Sequence, residues 1–301
     1  MAPTASSSII HLTTAAQPHI DNPGHSGLLP ALIKAQAKSF FDEFGFVIYE
    51  NFFDREIHEF KQELKAIINA YLQKLGFTTF DSDSVFTEGL QLLEDFDHDY
   101  VAAIYDTIIS CPSFFRICGS SNTEFVIKSL LKISTDCPLY GFTNRCRIDP
   151  PRDSRRTYGW HQEVFYTIPK SSFIQTWAPL VFDTHEKNGT IEILPKSHNE
   201  LIANQTWNEI PGRATQILVN DEITAKYKAN VVAMKTGEIL FFSGRLAHRS
   251  GNNTSEQTRY SLVGMYHDVS SKSFIAPKIS FEFRHQTPVE YFKEVFPENQ
   301  I

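Results

Sequence analysis

Residues 238–267 read EILFFSGRLAHRSGNNTSEQTRYSLVGMYH and contain two runs rich in aliphatic and aromatic residues. The runs are Glu238–Phe242 and Arg259–His267, and Gly251-Asn252-Asn253 between them is typical of a turn. Two short apolar runs on either side of a turn are typical of antiparallel strands. This stretch therefore predicts that the second half of the chain is built from strands.

Similar runs, separated by Pro, Gly and Asn, occupy the rest of the chain after residue 137. The predicted strands are Tyr140–Ile148, Gly159–Thr167, Phe173–Phe182, Thr190–Leu194 and Asn230–Met234. Many short strands divided by such residues favour an antiparallel sandwich or barrel.

The first half of the chain has helical periodicity. Asp54 is a predicted N-cap of a helix that runs to about Leu75, after a short β-type run at Phe46–Tyr49. Further helices are predicted at 84–95, 98–110 and 121–133. The fold class is therefore α+β, with N-terminal helices that buttress a β core.

The predicted organisation is one domain preceded by a flexible lead. Residues 1–28 are rich in Ser, Thr, Pro, Asn and Gly and have no period. Residues 29–301 form the domain, with a helical part at about 31–135, a β core at about 138–270 and a C-terminal extension at 271–301.

Composition excludes several classes of protein. The formal charge of -7 argues against non-specific nucleic-acid binding. The sequence contains no run of eighteen apolar residues, so we expect no membrane span. The N-terminus has no basic start and no long apolar core, so we expect a cytoplasmic protein. The four cysteines form no CxxC pair and are predicted to be buried free thiols, with disulfides as the alternative.

A candidate metal site begins at Trp160-His161-Gln162-Glu163. On a strand, His161 and Glu163 would share one face, because side chains alternate with a period of two. With His248 as a third ligand, two histidines and one carboxylate leave coordination positions open, as iron(II) needs to bind a keto acid and oxygen. The alternative is that these histidines are structural, since the chain has 11 of them.

Arg259 lies eleven residues after His248. If it starts the strand that pairs with the one ending near His248, its guanidinium can bind a carboxylate beside the metal. Ser250 can add a hydroxyl to the same carboxylate. The alternative is an outward, solvated arginine.

With these residues identified, the sequence resembles the phytanoyl-CoA dioxygenase family of iron(II)/2-oxoglutarate oxygenases over roughly residues 37–270. The matching motifs are Phe44–Asp54, Trp160–Glu163 with Tyr166, Trp177 with Pro179-Leu180, Asn188–His198, Gly237–Phe242, His248–Asn252 and Arg259.

The resemblance implies a double-stranded β-helix, a jelly-roll (cupin-like) fold with the metal at one mouth. It implies Fe(II), 2-oxoglutarate as co-substrate and O2, with His161, Glu163 and His248 as catalytic metal ligands. The positions that match 2-oxoglutarate contacts are Gln162, Trp177, Ser250 and Arg259. Glu163 departs from the family, which usually has Asp there, although some other 2-oxoglutarate oxygenases use Glu. A carboxylate at this position also argues against a halogenase, which lacks it.

Arginine is dense just before the metal motif. The cluster comprises Arg145, Arg147, Arg152, Arg155 and Arg156. It predicts an anion clamp, with Arg147 as the main candidate, although a solvated loop is the alternative for residues 152–156. The other predicted substrate-binding residues are Asn144, Tyr166, Gln175 and Arg245.

The predicted function is an iron(II)- and 2-oxoglutarate-dependent dioxygenase that acts on a small, anionic organic substrate and releases succinate and CO2. Hydroxylation is the default outcome, and desaturation or ring formation stays open. The rival functions are a non-catalytic β-sandwich binding module and a cupin-like metal isomerase or hydrolase, against which the Arg259 spacing argues.

Overall fold

The computed structural model describes residues 19–21, 31–153, 157–168, 170–201, 205–208, 216–275 and 297. The first part of the chain is mainly helical. Its elements are β1 (His19–Asp21), α1 (Ala31–Phe44), β2 (Phe46–Glu50), α2 (Arg55–Lys74), α3 (Glu88–Phe96), α4 (Asp99–Ile108), α5 (Pro112–Cys118) and α6 (Ser121–Leu131).

Helix α2 shows why this part is helical. Its buried residues recur every three or four positions: Ile57, Phe60, Leu64, Ile68 and Leu72. This spacing places one apolar stripe against the core. The predicted start after Asp54 is confirmed, but the Asp54 side chain makes no capping hydrogen bond. Helices predicted within 84–133 are also confirmed, with α5 as an additional short helix that the periodicity did not predict.

The second part of the chain is mainly β. Its strands are β3 (Leu139–Asp149), β4 (Phe173–Pro179), β5 (Ile191–Ile193), β6 (Gln205–Asn208), β7 (Gln216–Val219), β8 (Asn230–Val231), β9 (Ile239–Ser243), β10 (His248–Ser250) and β11 (Arg259–Asp268), with helix α7 (Asp221–Thr224) between β7 and β8. A six-stranded sheet has the order β1-β2-β9-β4-β11-β3, and a three-stranded sheet has the order β10-β5-β8. The predicted α+β jelly-roll architecture is confirmed.

The six-stranded sheet has two different faces, because successive side chains on each strand alternate. One face packs against the helices and carries Val47, Phe241, Ala178, Leu262 and Ile148. Two tyrosines of β11 extend this contact, since Tyr260 donates a hydrogen bond to the Phe86 carbonyl and Tyr266 donates one to the Cys118 carbonyl. The opposite face carries Ile48, Leu240 and Trp177, which pack with Ile191 and Ile193 of the small sheet.

One predicted strand is wrong. Residues 159–167 contain no extended strand; His161 forms a single antiparallel bridge with His248, and residues Glu163–Phe165 form a turn of 3-10 helix. The Val164 amide donates to the Gly244 carbonyl, and the Tyr166 amide donates to the Glu163 carbonyl. The buried turn thus accommodates the apolar Val164 and Phe165 without a strand.

The structure describes only parts of the predicted N-terminal lead and C-terminal extension. Residues 19–21 of the predicted lead pair with β2 in parallel. Most of residues 1–28 and of the extension at 271–301 lie outside the described residues, so the division into domains stays a prediction. The four cysteines are free thiols; Cys118 and Cys146 are buried as predicted, whereas Cys111 and Cys137 are only partly buried.

Each helix of the described residues is too short or too polar to span a membrane alone. Asp99–Ile108 and Pro112–Leu131 together have sufficient length and apolar composition, but the chain bends strongly between them.

Candidate active site

Three candidate metal ligands meet between the two sheets. The histidines are held side by side, because His161 and His248 exchange both backbone hydrogen bonds at 3.0 Å. The turn after His161 brings the Glu163 carboxylate to 3.5 Å from His161 Nε2 and 3.9 Å from His248 Nε2. His161 and Glu163 therefore converge through a turn, not through the strand alternation that the sequence predicted.

The orientation of both imidazoles suits a metal. The Nδ1 atom of His161 lies 2.8 Å from the Gly159 carbonyl oxygen, and that of His248 lies 2.9 Å from the Leu246 carbonyl oxygen. Carbonyl oxygens only accept, so each Nδ1 carries the proton and each Nε2 keeps its lone pair. One ligand atom from each of the three residues lies within 4.8 Å of the others.

The spacing of these atoms fits a bound ion. Metal bonds of about 2.1 Å place neighbouring octahedral ligands roughly 3 Å apart. The observed separations of 3.5 and 3.9 Å are only slightly wider. The donor set of two imidazoles and one carboxylate is the facial set of non-haem iron(II) oxygenases. His161, Glu163 and His248 therefore fit iron(II).

The protonation states agree with this assignment. Burial, together with the neighbouring His161, lowers the pKa of His248 to about 3, so its imidazole is neutral near pH 7. Burial alone would raise the pKa of Glu163, but His161, His248 and Arg145 outweigh it and hold that pKa below its usual value. A neutral imidazole and an ionised carboxylate are the forms that bind a metal.

A cavity of about 730 Å³ opens beside the three ligands. Its floor is the face of the six-stranded sheet opposite the helices. Paired positions on β3, β11 and β4 form rows across this floor, and the rows include Asp149–Arg259, Arg147–Ser261–Pro179, Arg145–Val263–Trp177 and Phe142–Met265–Gln175. The cavity therefore has a charged end near Arg259 and a more apolar end near Met265.

Arg259 is 4% exposed and lies at the charged end. Its Nη2 donates to Asp149 Oδ2 at 2.8 Å, and Arg147 Nη2 donates to the other oxygen, Oδ1, at 2.7 Å. Arg147 Nη1 also donates to Ser250 Oγ at 3.1 Å. Burial alone would raise the pKa of Asp149, but the two arginines outweigh it and hold that pKa below its usual range. Two cations thus share one anion.

The strand pairing predicted for Arg259 is wrong. Arg259 begins β11, which pairs with β3 and β4 in the large sheet, whereas His248 begins β10 in the small sheet. Arg259 nevertheless lines the same cavity as His248, because the two sheets face each other across it. The residues meet across the sandwich.

The predicted co-substrate residues divide into two groups. Trp177, Ser250 and Arg259 line the cavity. Gln162 is fully buried and is not among the lining residues; its amide donates to the carbonyls of Glu200 and Arg245. Since its side chain holds a loop together, its position here does not support a contact with 2-oxoglutarate.

The predicted substrate residues divide in the same way. Arg147, Tyr166 and Gln175 line the cavity. Asn144 does not, because it lies at a bulge between β3 and β11, where its Oδ1 accepts a hydrogen bond from the Met265 amide. Arg245 is exposed outside the lining. Arg155 and Arg156 lie outside the described residues.

Sequence reasoning missed Asp149 and Tyr158. Asp149 ends the alternating pattern Arg145-x-Arg147-x-Asp149, and that period of two was the signal for a carboxylate on the same face as the arginines. Tyr158 lines the cavity with its ring 5.4 Å from that of His161. No motif or spacing in the sequence distinguishes Tyr158 from the other tyrosines.

A family model of phytanoyl-CoA dioxygenase (PhyH) matches residues 41–261. The chain belongs to this family. It is therefore an enzyme of the non-haem iron, 2-oxoglutarate-dependent dioxygenase class, and its histidines and carboxylate stand where the metal chemistry of that class requires them.

Individual relatives are distant. The human peroxisomal phytanoyl-CoA dioxygenase is 20% identical over 244 residues, which cover 77% of this chain and 67% of that protein. Among solved structures, the epimerase SnoN in complex with Fe3+, alpha ketoglutarate and nogalamycin RO has a TM-score of 0.55 at 14% identity, covering 82% of this chain and 89% of SnoN. EctD from S. alaskensis with 2-oxoglutarate and 5-hydroxyectoine has a TM-score of 0.54 at 18% identity, covering 84% and 83%. These structural likenesses show the fold.

Proposed function

We propose that this enzyme hydroxylates a small organic anion. In this reaction substrate, 2-oxoglutarate and O2 give hydroxylated substrate, succinate and CO2. The observation that carries the proposal is the shared cavity of the His161–Glu163–His248 triad and Arg259. A metal and an arginine that face one cavity suit a co-substrate with a chelating keto acid at one end and a carboxylate at the other.

Arg259 has the properties of a carboxylate receptor. Among the described residues, its buried Nε has no hydrogen-bond partner, and its Nη1 has only a long contact of 3.5 Å with the Gly251 carbonyl. Arg147 and Arg259 together carry two positive charges against one on Asp149. One further carboxylate would neutralise this end of the cavity and satisfy the Arg259 Nε–H, and Ser250 would donate its hydroxyl hydrogen to the same group.

The roles of the chain's own residues follow from this arrangement. Bound iron(II) with 2-oxoglutarate supplies the oxidising chemistry of the family. His161, Glu163 and His248 would hold the ion, while Arg259 and Ser250 would fix the far carboxylate and thereby orient the co-substrate. Arg147 would keep Ser250 in place. The remaining cavity, with Tyr166 and Gln175 in its wall, would hold the primary substrate.

The anionic character of the substrate rests on the arginines. Arg145, Arg147, Arg249 and Arg259 all line the cavity. Arg249 pairs with Glu192, and Asp149 is shared by Arg147 and Arg259, so positive charge is in excess there. Hydroxylation is proposed as the default, and a cytoplasmic location stays a prediction from the sequence.

The proposal is tested by incubating the purified protein with iron(II), 2-oxoglutarate and O2 and a panel of organic anions. We expect one or more anions to increase succinate release above the substrate-free rate and to gain one oxygen atom by mass spectrometry. The His161→Ala variant is the blank. Loss of two hydrogens without oxygen gain would replace hydroxylation by desaturation or ring formation. Absence of iron-dependent succinate under all conditions would contradict the proposal.

A further inference from the structure

The two ends of the cavity floor differ in how their polar groups are satisfied. At the Arg259 end, both arginines donate to Asp149. Two residues nearer the other end do not follow this pattern. Arg145 and Gln175 both line the cavity, on adjacent rows of the sheet.

Arg145 is a cavity-facing cation with no ion-pair partner among the described residues. It is exposed and lines the cavity together with Glu163 and Tyr158. Its neighbours on the same face of β3, Arg147 and Asp149, are paired with each other. Among the described residues, the strand therefore presents one arginine in an ion pair and one arginine outside any ion pair to the same cavity.

Arg145 lies farther than Arg147 along β3 from the carboxylate proposed at Arg259. Asp149 is opposite Arg259 in register, and Arg145 lies four residues before it on β3. At about 3.3 Å per residue, this is about 13 Å of strand. Arg147 lies between Arg145 and Asp149 on this strand and is already paired with Asp149. A second anion is the natural partner for Arg145.

Gln175 supplies an independent observation. Its side chain is 1% exposed, and its Oε1 atom is buried without a hydrogen-bond partner among the described residues. A buried acceptor is costly when unpaired, so such an atom at a cavity wall suits a hydrogen-bond donor on a ligand. Gln175 lies two strands away from Arg145 and two residues further along the sheet, so their Cα atoms are about 12 Å apart. A metabolite-sized molecule covers this distance.

We propose that Arg145 and Gln175 form the recognition site for the primary substrate, which is an organic carboxylate that also carries a hydroxyl or N–H group. Arg145 pairs with the carboxylate, and Gln175 Oε1 accepts the hydrogen bond. This assignment rests on the proposed function and refines it, because it gives the substrate's anion to Arg145, whereas the sequence favoured Arg147.

The first test compares the binding of matched ligands to the full-length protein loaded with iron(II) and 2-oxoglutarate without oxygen. The probes are a library of hydroxy- and amino-carboxylates, each with its methyl ester, and the readout is calorimetric titration. We expect the acids to bind more tightly than their esters. Arg145→Gln should reduce this preference by about 10-fold, and Arg145→Lys should restore part of it.

Arg152 provides the matched control. It lies just after β3, pairs with Glu256 and has a side chain that is 70% exposed, outside the cavity lining. Arg152→Gln removes the same charge from the same part of the chain, so the acid-over-ester preference should not change. An equal loss in Arg145→Gln and Arg152→Gln would show a general charge effect and would overturn the assignment.

The second test concerns Gln175. Gln175→Leu keeps the shape of the side chain and removes an acceptor that has no partner among the described residues, so the melting temperature should not fall. Preference for a hydroxy-carboxylate over the same acid without the hydroxyl should fall by about 10-fold. An unchanged preference would remove Gln175 from the site.

Failure of this inference is distinguishable from failure of the proposed function. Iron-dependent succinate formation without primary substrate reports the proposed function alone. If that activity is present and the wild-type protein binds esters as well as acids, or binds none of the carboxylates, the Arg145 assignment is wrong. If succinate is never formed, the proposed function itself fails.

Discussion

The two ends of the cavity floor lie on the same strands but differ in whether their charged and polar side chains are paired within the protein. At one end, Asp149 accepts from Arg147 and Arg259, and all three groups are held in place by one another. At the other end, Arg145 and Gln175 Oε1 have no such partner among the described residues. The first end is organised before a ligand binds, whereas the second end is one that a ligand would complete.

The difference has a physical basis in burial. A buried charge needs a partner, because an isolated ion in a low-dielectric interior is strongly unfavourable. Arg259 is 4% exposed and is therefore built with Asp149 beside it, whereas Arg145 is exposed to solvent, which screens it. A constant co-substrate suits the first environment, and a variable substrate suits the second.

The largest expected effect is loss of the metal site that serves both ends. His161→Ala or His248→Ala removes one of three protein ligands, so iron(II) binding should weaken by more than about 100-fold and turnover should be abolished. Metal content after dialysis and succinate formation measure this. The circular dichroism spectrum should stay native in both variants, and full activity in either one under metal-controlled conditions would refute the assignment.

The next largest effect is a loss of folding stability at the Arg259 end of the cavity. Asp149→Asn leaves the buried Arg259 and the half-buried Arg147 without their shared anion, and breaking a buried pair typically costs about 3–5 kcal/mol of folding free energy. Because the folded-state pKa of Asp149 lies below its unfolded value, its contribution is present above about pH 4 and is lost as pH falls through the folded pKa. Urea denaturation at several pH values should show both changes, and wild-type stability in the variant would contradict the network.

A smaller effect, on the pH dependence of stability, is expected at His267 of β11. His267 is buried between Thr167 Oγ1 at 2.8 Å and Ser171 Oγ at 3.0 Å, and burial lowers its pKa to about 4. The unfolded chain then binds more protons between about pH 4 and 6.5, so this contribution is full above about pH 6.5 and falls as pH drops. Between pH 7 and 5 it should cost about 2 kcal/mol.

His267→Gln isolates that contribution, because His248 titrates in the same direction in both proteins. The fall in urea midpoint between pH 7 and 5 should be smaller in the variant. Equal falls would mean that His267 is not a buried neutral imidazole.

The smallest effect is expected at Ser250. Its Oγ accepts from Arg147, and its hydrogen would serve the co-substrate carboxylate. Ser250→Ala should weaken 2-oxoglutarate binding by about 1 kcal/mol, or about fivefold, because one hydrogen bond is lost. A loss of 2-oxoglutarate affinity as large as that in Arg259→Ala would contradict this role, because it would exceed the effect of one hydrogen bond.

Local pattern predicted much of this fold. The helical spacing of Ile57, Phe60 and Leu64 places α2, and the alternation of polar and apolar residues at 145–149 places a two-faced strand. The order of His161, Glu163, His248 and Arg259 predicted the family, which the match over residues 41–261 confirms.

Other features depend on contacts that no local pattern contains. Glu163 reaches the histidines through a turn, and Arg259 faces His248 across two sheets. Gln162 lies within the metal motif but binds two loop carbonyls from residues 38 and 83 positions away. Asp149 pairs with Arg259 at a separation of 110 residues. Long-range partners of this kind become visible only when the strands are placed in register.

Binding of 2-oxoglutarate to the iron(II)-loaded, oxygen-free protein tests the difference between the two ends most directly. Calorimetric titration of the wild type, Arg259→Ala and Arg145→Gln gives three dissociation constants. Removing Arg259 from a desolvated carboxylate pair should weaken binding by about 30-fold or more, and Arg145→Gln should weaken it by at most a tenth of that factor. An unchanged constant in Arg259→Ala, or a larger loss in Arg145→Gln, would contradict the assignment of the two ends.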